Sequence, residues 1–324
     1  MTNKEQITII GCGVIGMSAG IRLLEAGYKV QIVARDLPPN TTSNWAAAMW
    51  FPYRVYPYDR VLSWGATTYD VLQSFLDVPE TGVRNLLLTL ITPEPPVVPW
   101  WGASVPAYHH ATADELPAGY QHGYSLTVPV CDTGMYLDYL LNWYRRLGGM
   151  IEQREVGSFE EVIRPKSTII NCTGLGAHTL ANDKTLYPIR GQIVKVRQPA
   201  VVNSIIRDFE DGQHPAYIIP RIDDIILGGT TQINNWDETV DPEITQHILK
   251  ETAKLMPALA DAEIISQGAG LRPGRPSVRL EAEHLADDCV VIHSYGHGGA
   301  GITLSWGCAA EVVRMVQERL TLQT

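Results

Sequence analysis

Apolar residues near the amino terminus follow first a strand pattern and then a helix pattern. Residues 7–10 form a short β-rich apolar run, and Met17, Ile21 and Leu24 then recur at helical spacing. Gly27 ends this helical pattern, and residues 30–33 form a second apolar run. The order strand, helix, strand within roughly 30 residues predicts a βαβ unit with parallel strands.

Later apolar patterns extend this sheet and add a second one. A buried strand at 169–171 and a last strand at 290–292 suit the first sheet, and helices are predicted over 135–147, over 241–255 and after residue 302. Short strands at 193–196, 217–219 and 225–227 with tight connections predict an antiparallel sheet. The prediction is an α/β fold in which a Rossmann-like domain is interleaved with a domain built on a mainly antiparallel β-sheet.

The turn after the first strand carries the glycine spacing of a dinucleotide site. Gly11 suits a tight turn, Gly13 lets backbone approach a pyrophosphate, and Gly16 lets the helix pack against the strand. The second strand ends with Arg35 and Asp36, where such proteins usually place an acidic residue against the ribose. Taken alone, Arg35 indicates either a 2′-phosphate contact, which favours NADP, or a surface arginine.

Composition and charge narrow the class of protein. The chain has 324 residues, of which 45% are hydrophobic and 19% charged, with a formal net charge of −10. This balance predicts two globular domains and argues against nucleic-acid binding and against disorder. No apolar run approaches the roughly 18 residues of a membrane span, and the start lacks a cleavage-type signal, so we expect a cytoplasmic protein. The five scattered cysteines predict reduced, buried thiols and no metal site.

Seven separated segments resemble one known family. They are residues 11–16, 34–38, 171–174, 190–192, 217–220, 270–273 and 295–299. Their order and spacing are similar to those of the D-amino-acid oxidase and D-aspartate oxidase family of FAD flavoproteins, above all to microbial D-amino-acid oxidases. The resemblance covers nearly the whole chain and implies FAD rather than NADP, because several family members also end the second strand with Ala-Arg.

The resemblance implies domain limits and site residues. An FAD-binding domain would comprise residues 1–54, 129–185 and 283–324, and a substrate-binding domain residues 55–128 and 186–282. Arg272 and Tyr217 would bind the substrate carboxylate, and the carbonyl of Gly299 would accept a hydrogen bond from the amine. The family positions that contact FAD correspond here to Cys12, Gly13, Val14, Ile15, Arg35, Asp36, Thr42, Ser43, Ala48, Met49, Val156, Thr173, Gly298, Gly301, Ile302 and Thr303.

The implied reaction is oxidative deamination of a D-amino acid by hydride transfer from Cα to flavin N5, with dioxygen as the acceptor and no side-chain base. Phe51 and Gln213 depart from the vertebrate pattern beside the substrate. The acidic loop 208–214 predicts a preference for neutral or basic D-amino acids. Two alternatives stay open: a D-aspartate oxidase, with Arg207 the candidate second cation, and a non-catalytic flavin- or nucleotide-binding protein. Dioxygen is the other expected small-molecule partner, and a homodimer the expected assembly.

Overall fold

The computed structural model describes residues 6–52, 55–197, 203–207, 215–285 and 288–321. This part of the chain contains fifteen strands in two sheets, together with six α-helices. The strands are β1 Gln6–Ile10, β2 Lys29–Ala34, β3 Val83–Ile91, β4 His109–His110, β5 Gly123–Cys131, β6 Met150–Gln153, β7 Thr168–Asn171, β8 Tyr187–Arg197, β9 Ser204–Arg207, β10 Ala216–Pro220, β11 Asp224–Gly228, β12 Gln232–Ile233, β13 Ile264–Gly274, β14 Arg279–His284 and β15 Val290–Tyr295. The helices are α1 Val14–Glu25, α2 Tyr58–Ser74, α3 Thr133–Arg146, α4 Ala177–Leu180, α5 Pro242–Leu255 and α6 Gly301–Thr321.

The first sheet has six strands in the order β14-β15-β7-β1-β2-β6. All neighbours in it run parallel except β14, which pairs antiparallel with β15. Ile9 pairs with Ile32 on one side and Ile170 on the other, and all three side chains are buried. Helix α1 packs against α6 and α3, which places the amino-terminal and carboxyl-terminal helices together. The predicted βαβ unit is therefore confirmed.

The second sheet has nine strands, and its main path is β12-β8-β11-β10-β9-β3-β5-β4. Strand β13 pairs with β8 outside this path, and β3 with β9 is the parallel pair in an otherwise antiparallel sheet. Helix α5 covers one face, where Ile248 packs with Val194 and Ile218. The predicted fold class, a parallel sheet interleaved with a mainly antiparallel one, is confirmed.

Helix α2 connects the two predicted domains. It lies in the range predicted for the substrate domain, yet it packs on α6. The hydroxyl of Thr68 accepts hydrogen bonds from the backbone N–H groups of Trp306 and Gly307, at 3.2 and 3.1 Å. The predicted limit between residues 282 and 283 also falls inside β14. The domain limits therefore stay a prediction, whereas the membership of each sheet is established.

Three further features concern the cysteines, the histidine doublet, and possible membrane or metal sites. All five cysteines are free and buried. His109 and His110, the one histidine doublet of the sequence, are exposed and form the short strand β4, where His109 lies 3.1 Å from the carboxylate of Glu115. Within the described residues no helix is long and apolar enough to span a bilayer, and no cluster of potential ligands could hold a metal ion.

Candidate active site

One cavity of about 1080 Å³ runs between the first turn of α1 and the second sheet. At one end it is lined by Gly11–Ile15 and Arg35, and at the other by Tyr217 and Arg272. Ligand sites typically occupy about 300–1,000 Å³, so this cavity suits a large ligand together with a small one.

Backbone atoms make the wall of the cavity where β1 meets α1. Gly11 has a φ of +109°, and a Cβ at this position would lie 2.5 Å from the carbonyl oxygen of Cys172 at the end of β7. The N-cap residue of α1 is Gly13, which has no side chain to accept hydrogen bonds from the first turn. Helix α1 therefore presents backbone N–H donors and a partial positive charge to the cavity, an arrangement that suits a pyrophosphate.

Arg35 and Asp36 lie at the carboxyl end of β2, beside this turn. The Nε of Arg35 donates a hydrogen bond of 2.8 Å to Asp36, and the carboxylate of Glu155 lies 3.9 Å from the guanidinium. Hydrogen bonding and attraction to Asp36 raise the pKa of Arg35 further. Because these carboxylates already neutralise Arg35, the pair suits neutral ribose hydroxyls better than an additional phosphate dianion.

The segment Thr42–Met49 forms a side wall of the same cavity. The hydroxyl of Ser43 accepts a hydrogen bond of 3.1 Å from the N–H of Val14 in the first turn of α1. The indole of Trp45 lies on β13, where a Cβ at Gly268 would fall 2.1 Å from the ring. This segment therefore contacts both helix α1 and the second sheet.

The cavity fits an extended dinucleotide. It offers unblocked backbone at Gly11 and Gly13, a helix N-terminus for phosphates and a carboxylate for ribose, and it extends from there to the second sheet. Residues Gly299, Gly301 and Ile302 also line the cavity, where α6 begins. A second helix N-terminus thus faces the cavity and suits negative charge on a reduced flavin ring.

Arg272 on β13 and Tyr217 on β10 lie together at the end of the cavity that borders the second sheet, where Arg272 supplies a positive charge. The guanidinium donates a hydrogen bond of 3.0 Å from Nη1 to the carbonyl of Thr230, and it lies close enough to the Tyr217 hydroxyl to influence the pKa of that phenol. Burial raises the pKa of the Tyr217 phenol, and the charge of Arg272 offsets part of this. The phenol is therefore protonated at neutral pH, so both side chains have N–H or O–H donors for a carboxylate. We call Arg272 and Tyr217 the carboxylate clamp.

Glycines make the space in which the carboxylate clamp lies. A Cβ at Gly191 on β8 would lie 2.2 Å from Nη2 of Arg272, and one at Gly228 on β11 would lie 2.3 Å from the Tyr217 hydroxyl. The two side chains thus rest directly on the backbone of neighbouring strands. Any larger residue at Gly191 or Gly228 would force a clamp side chain to move.

The loop before α6 brings Gly299 close to the carboxylate clamp. The N–H of Gly298 donates a hydrogen bond of 2.9 Å to the carbonyl of Pro273, the residue after Arg272. The Thr303 hydroxyl in the first turn of α6 donates to the carbonyl of Phe51 and accepts from its N–H, at 2.9 and 3.1 Å. Gly298 and Thr303 are thus placed next to the cavity but are not part of its wall.

The other predicted site residues all line the cavity. Those predicted for the substrate are Tyr217, Arg272 and Gly299. Those predicted for FAD are Cys12, Gly13, Val14, Ile15, Arg35, Asp36, Thr42, Ser43, Ala48, Met49, Val156, Thr173, Gly301 and Ile302. Their roles as ligand contacts stay predictions, because the structure shows their placement alone.

Several lining residues escaped the sequence analysis. Trp45, Trp236, Glu238 and His178 line the cavity, and Thr230 orients Arg272. Gly268 and Gly270 alternate on β13 opposite Trp45, which is the one sequence signal that could have indicated a ring packed on this strand.

His297 is a buried imidazole in the cavity wall, 3% exposed. Its Nε2 lies 3.6 Å from the Sγ of Cys308. Burial lowers the pKa of His297 to about 4. The ring is therefore neutral at physiological pH and adds no cation beside Gly299.

The fold and the cavity are those expected of a protein that binds a dinucleotide cofactor next to a carboxylate. Residues 6–315 match the family model described as FAD dependent oxidoreductase. A D-amino-acid oxidase of Rubrobacter xylanophilus is 43% identical over 317 residues, covering 97% of this chain and 96% of that protein. One from Dictyostelium discoideum is 42% identical over 325 residues, covering 98% and 93%. The glycine oxidase structure from Bacillus cereus has a TM-score of 0.79 at 22% identity, covering 98% and 96%.

The chain therefore belongs to the D-amino-acid oxidase family of FAD-dependent oxidoreductases. Human D-aspartate oxidase is also similar, at 33% identity over 330 residues, covering 98% of this chain and 96% of that protein. FAD is thus the cofactor, and the interpretation of Arg35 as a contact for the 2′-phosphate of NADP does not apply.

Replacing Gly191 with Ala should displace Arg272, because the new Cβ would overlap its guanidinium. A misplacement on the order of 1 Å can cost about a hundredfold, so we expect kcat/KM to fall roughly 10- to 100-fold. FAD affinity should not change. The matched control is Gly65→Ala, whose Cβ would meet Trp50 at an ordinary 3.5 Å. Steady-state rates equal to those of the control would contradict the placement of Arg272.

The buried His297 should make stability depend on pH. Between its ordinary pKa near 6.5 and the folded value of about 4, the unfolded chain binds a proton that the folded chain does not. Stability from this residue is therefore complete above pH 6.5 and is lost as the pH falls towards 4, by at most about 1.4 kcal/mol per pH unit. Urea unfolding at pH 6.5 and 5.0, with saturating FAD, should show a smaller loss for His297→Gln than for the unmodified chain. Equal losses would show that His297 does not carry this dependence.

Proposed function

We propose that this protein oxidatively deaminates D-amino acids to 2-oxo acids, with the release of ammonia and hydrogen peroxide. The observation that supports this most directly is the carboxylate clamp, which lies in the same cavity as the dinucleotide-binding turn. A protein that only stored a flavin would have no use for an anion site there.

The chain's own residues position the substrate. The guanidinium of Arg272 and the hydroxyl of Tyr217 bind the α-carboxylate by charge-assisted hydrogen bonds. The carbonyl of Gly299 accepts a hydrogen bond from the α-amine. With two of the four substituents on Cα fixed, the direction of the Cα–H bond depends on the configuration of the amino acid.

Bound FAD would supply the two-electron oxidation at Cα, with dioxygen as the final electron acceptor. The amine loses a proton, and water hydrolyses the imino acid. The sum is one D-amino acid, one dioxygen and one water giving one 2-oxo acid, one ammonia and one hydrogen peroxide. The protein's contribution is orientation of the substrate and a positive helix end at the ring, so no side-chain base is assigned.

Apolar side chains surround the Tyr217 side of the cavity. Ile206 on β9 pairs directly with Tyr217, and Leu90 on β3 pairs with Ile206. The side chains that line the cavity here are Ile206, Leu90, Ile219 and Phe51. We infer that this wall receives the substrate side chain. A neutral side chain gains by burial there, whereas a distal carboxylate would lose its hydration without a partner.

The second candidate, a D-aspartate oxidase, would need another cation at this wall. Arg207 is turned to the opposite face of the sheet, where it forms a buried ion pair of 3.0 Å with Glu251 and a hydrogen bond of 3.1 Å to the Tyr120 hydroxyl. Among the described lining residues, the arginines are Arg272 at the clamp and Arg35 and Arg154 at the nucleotide end. This arrangement favours neutral substrates. The loop 208–214, including Gln213, lies outside the described residues, so the preference for basic D-amino acids stays a prediction.

A cytoplasmic location and a homodimer belong to the same proposal. Fractionation of the native host and sedimentation of the purified holoprotein test them separately from the activity. The activity itself is tested by mixing the yellow holoprotein with D-alanine without oxygen. We expect the flavin absorbance to bleach and to recover on admission of air, with one peroxide per 2-oxo acid. A flavin that stays oxidised with every D-amino acid offered would favour the non-catalytic alternative.

Replacing Arg272 with Leu removes the charge that binds the carboxylate. We expect kcat/KM for D-alanine to fall about a hundredfold or more, which corresponds to about 3 kcal/mol in transition-state stabilisation. FAD content should stay the same. Arg197→Leu is the control, because Arg197 is 64% exposed and pairs with Glu263 at the surface. Normal turnover of D-alanine by Arg272→Leu would overturn the assignment of the carboxylate clamp.

The apolar wall predicts discrimination against acidic substrates. D-Valine should have a kcat/KM at least about a hundredfold above that of D-aspartate, because the wall strips water from the distal carboxylate. This ratio should change little between low and high salt, since a desolvation cost is not screened. If the acidic loop 208–214 favours basic substrates as predicted, kcat/KM for D-arginine should instead fall with added salt. A D-aspartate kcat/KM above that of D-valine would place the protein with the D-aspartate oxidases.

A further inference from the structure

A buried arginine connects the second sheet to the wall segment Thr42–Met49. Arg221 follows β10 in the turn to β11 and is 2% exposed. Its Nη1 donates a hydrogen bond of 2.8 Å to the Thr133 hydroxyl at the start of α3, and its Nη2 donates to the carbonyl of Ala46. The Thr133 hydroxyl in turn donates a bond of 3.0 Å to the carbonyl of Asn44. One guanidinium thus holds two carbonyls of the segment, one directly and one through Thr133.

The burial of Arg221 by itself lowers the stability of the folded protein. Within the described residues the Nε of Arg221 and the Oδ1 of nearby Asp224 have no hydrogen-bond partner. Burial lowers the pKa of the guanidinium, and the carboxylates of Asp132 and Asp224 offset part of that. A buried cation that is not fully hydrogen-bonded reduces stability relative to an apolar residue of similar volume. A contribution to stability alone therefore does not account for an arginine here.

The segment that Arg221 holds forms a large part of the wall of the cofactor cavity. Thr42, Ser43 and Trp45–Met49 all line it, and Ser43 contacts the first turn of α1. The segment has little regular structure of its own, since it contains a single 3₁₀ turn at Thr42–Trp45. The backbone at Ala48 and Met49 pairs with β5, so the part of the segment that Arg221 and Thr133 hold from outside is residues 44–46.

We propose that Arg221 is a positioning residue for FAD. It fixes the backbone of residues 44–46 so that the segment is preformed for the cofactor, and thereby lowers the free energy of ordering that FAD binding would otherwise require. The proposal rests on the family's cofactor and on no assignment of substrate. Its failure is thus distinguishable from failure of the proposed reaction.

The test measures FAD affinity of the apo-protein by quenching of flavin fluorescence. We expect Arg221→Met to raise the Kd for FAD at least about tenfold, because the hydrogen bonds to the Ala46 carbonyl and to the Thr133 hydroxyl are lost. Arg221→Lys, which keeps the charge but offers one donor group, should recover part of the affinity. The matched control is Arg207→Met, which removes another buried arginine of the same sheet. It should lower the stability of the apo-protein and leave the Kd for FAD unchanged.

Amide hydrogen exchange of the apo-protein supplies a second readout. The amides of residues 41–49 should exchange faster in Arg221→Met than in the unmodified chain, and should slow again on saturation with FAD. The Arg207→Met control should leave these amides unchanged. A purely structural role would lower overall stability in both variants without this local effect.

Thr133→Val tests the same connection without removing a charge. Valine has nearly the volume of threonine but lacks the hydroxyl that bridges Arg221 and Asn44, so the Kd for FAD should rise several-fold. In the double variant the two effects should be less than multiplicative, because both variants break one chain of contacts. This variant also serves if Arg221→Met does not fold. Kd values within twofold of the unmodified chain for Thr133→Val and for whichever Arg221 variant folds would overturn the proposal.

Discussion

The parallel pairing of β1 with β2 and β7 is the interaction on which the rest of the site depends. It brings the carboxyl ends of three strands to one edge, so that Gly11 leaves β1 against the Cys172 carbonyl at the end of β7. Contact this close fixes where α1 starts, and hence where its unpaired N–H groups point. The position of α6 follows, because α6 packs on α1 and begins beside the same cavity. Both positive helix ends therefore face one ligand as a consequence of one strand pairing.

Local patterns in the sequence predicted the elements whose burial is periodic. Strands β1, β2, β7 and β15 are continuous apolar runs, and α1, α3, α5 and α6 show apolar residues at helical spacing, so each was predicted within a few residues of its true bounds. Helix α2 was missed, because it follows a segment rich in prolines and aromatic rings and is stabilised by packing of Trp64 and Thr68 against α6. The buried residues of α2 do recur at helical spacing, but Gly65 and Thr68 are among them, which weakens the apolar pattern in the sequence.

One part of the site was predictable from local sequence patterns, and the other part only from family resemblance. The dinucleotide turn followed from glycine spacing and its flanking elements, whereas Arg272, Tyr217 and Gly299 were named from family resemblance. The direction of the Arg207 side chain depends on strand pairing, which the local sequence does not reveal. On β9 its neighbour Ile206 faces the cavity, so the alternation of a strand turns Arg207 to the other face and towards Glu251. Which of the two faces the cavity depends on the register with Tyr217 and Leu90, and those partners are distant in the chain.

The order of strands in the first sheet has a consequence for synthesis on the ribosome. Strand β1 is made first, its neighbour β7 follows more than a hundred residues later, and β15 and α6 come last. Until α6 emerges, the apolar face of α1 that it covers is open to solvent, and the edge of β7 that pairs with β15 has no partner. The cofactor sheet therefore closes only after translation has passed residue 295, and an incomplete nascent chain exposes surface that chaperones recognise. Slow elongation late in the message would prolong that exposure. A pause before residue 83 would instead occur before any strand of the second sheet has been made.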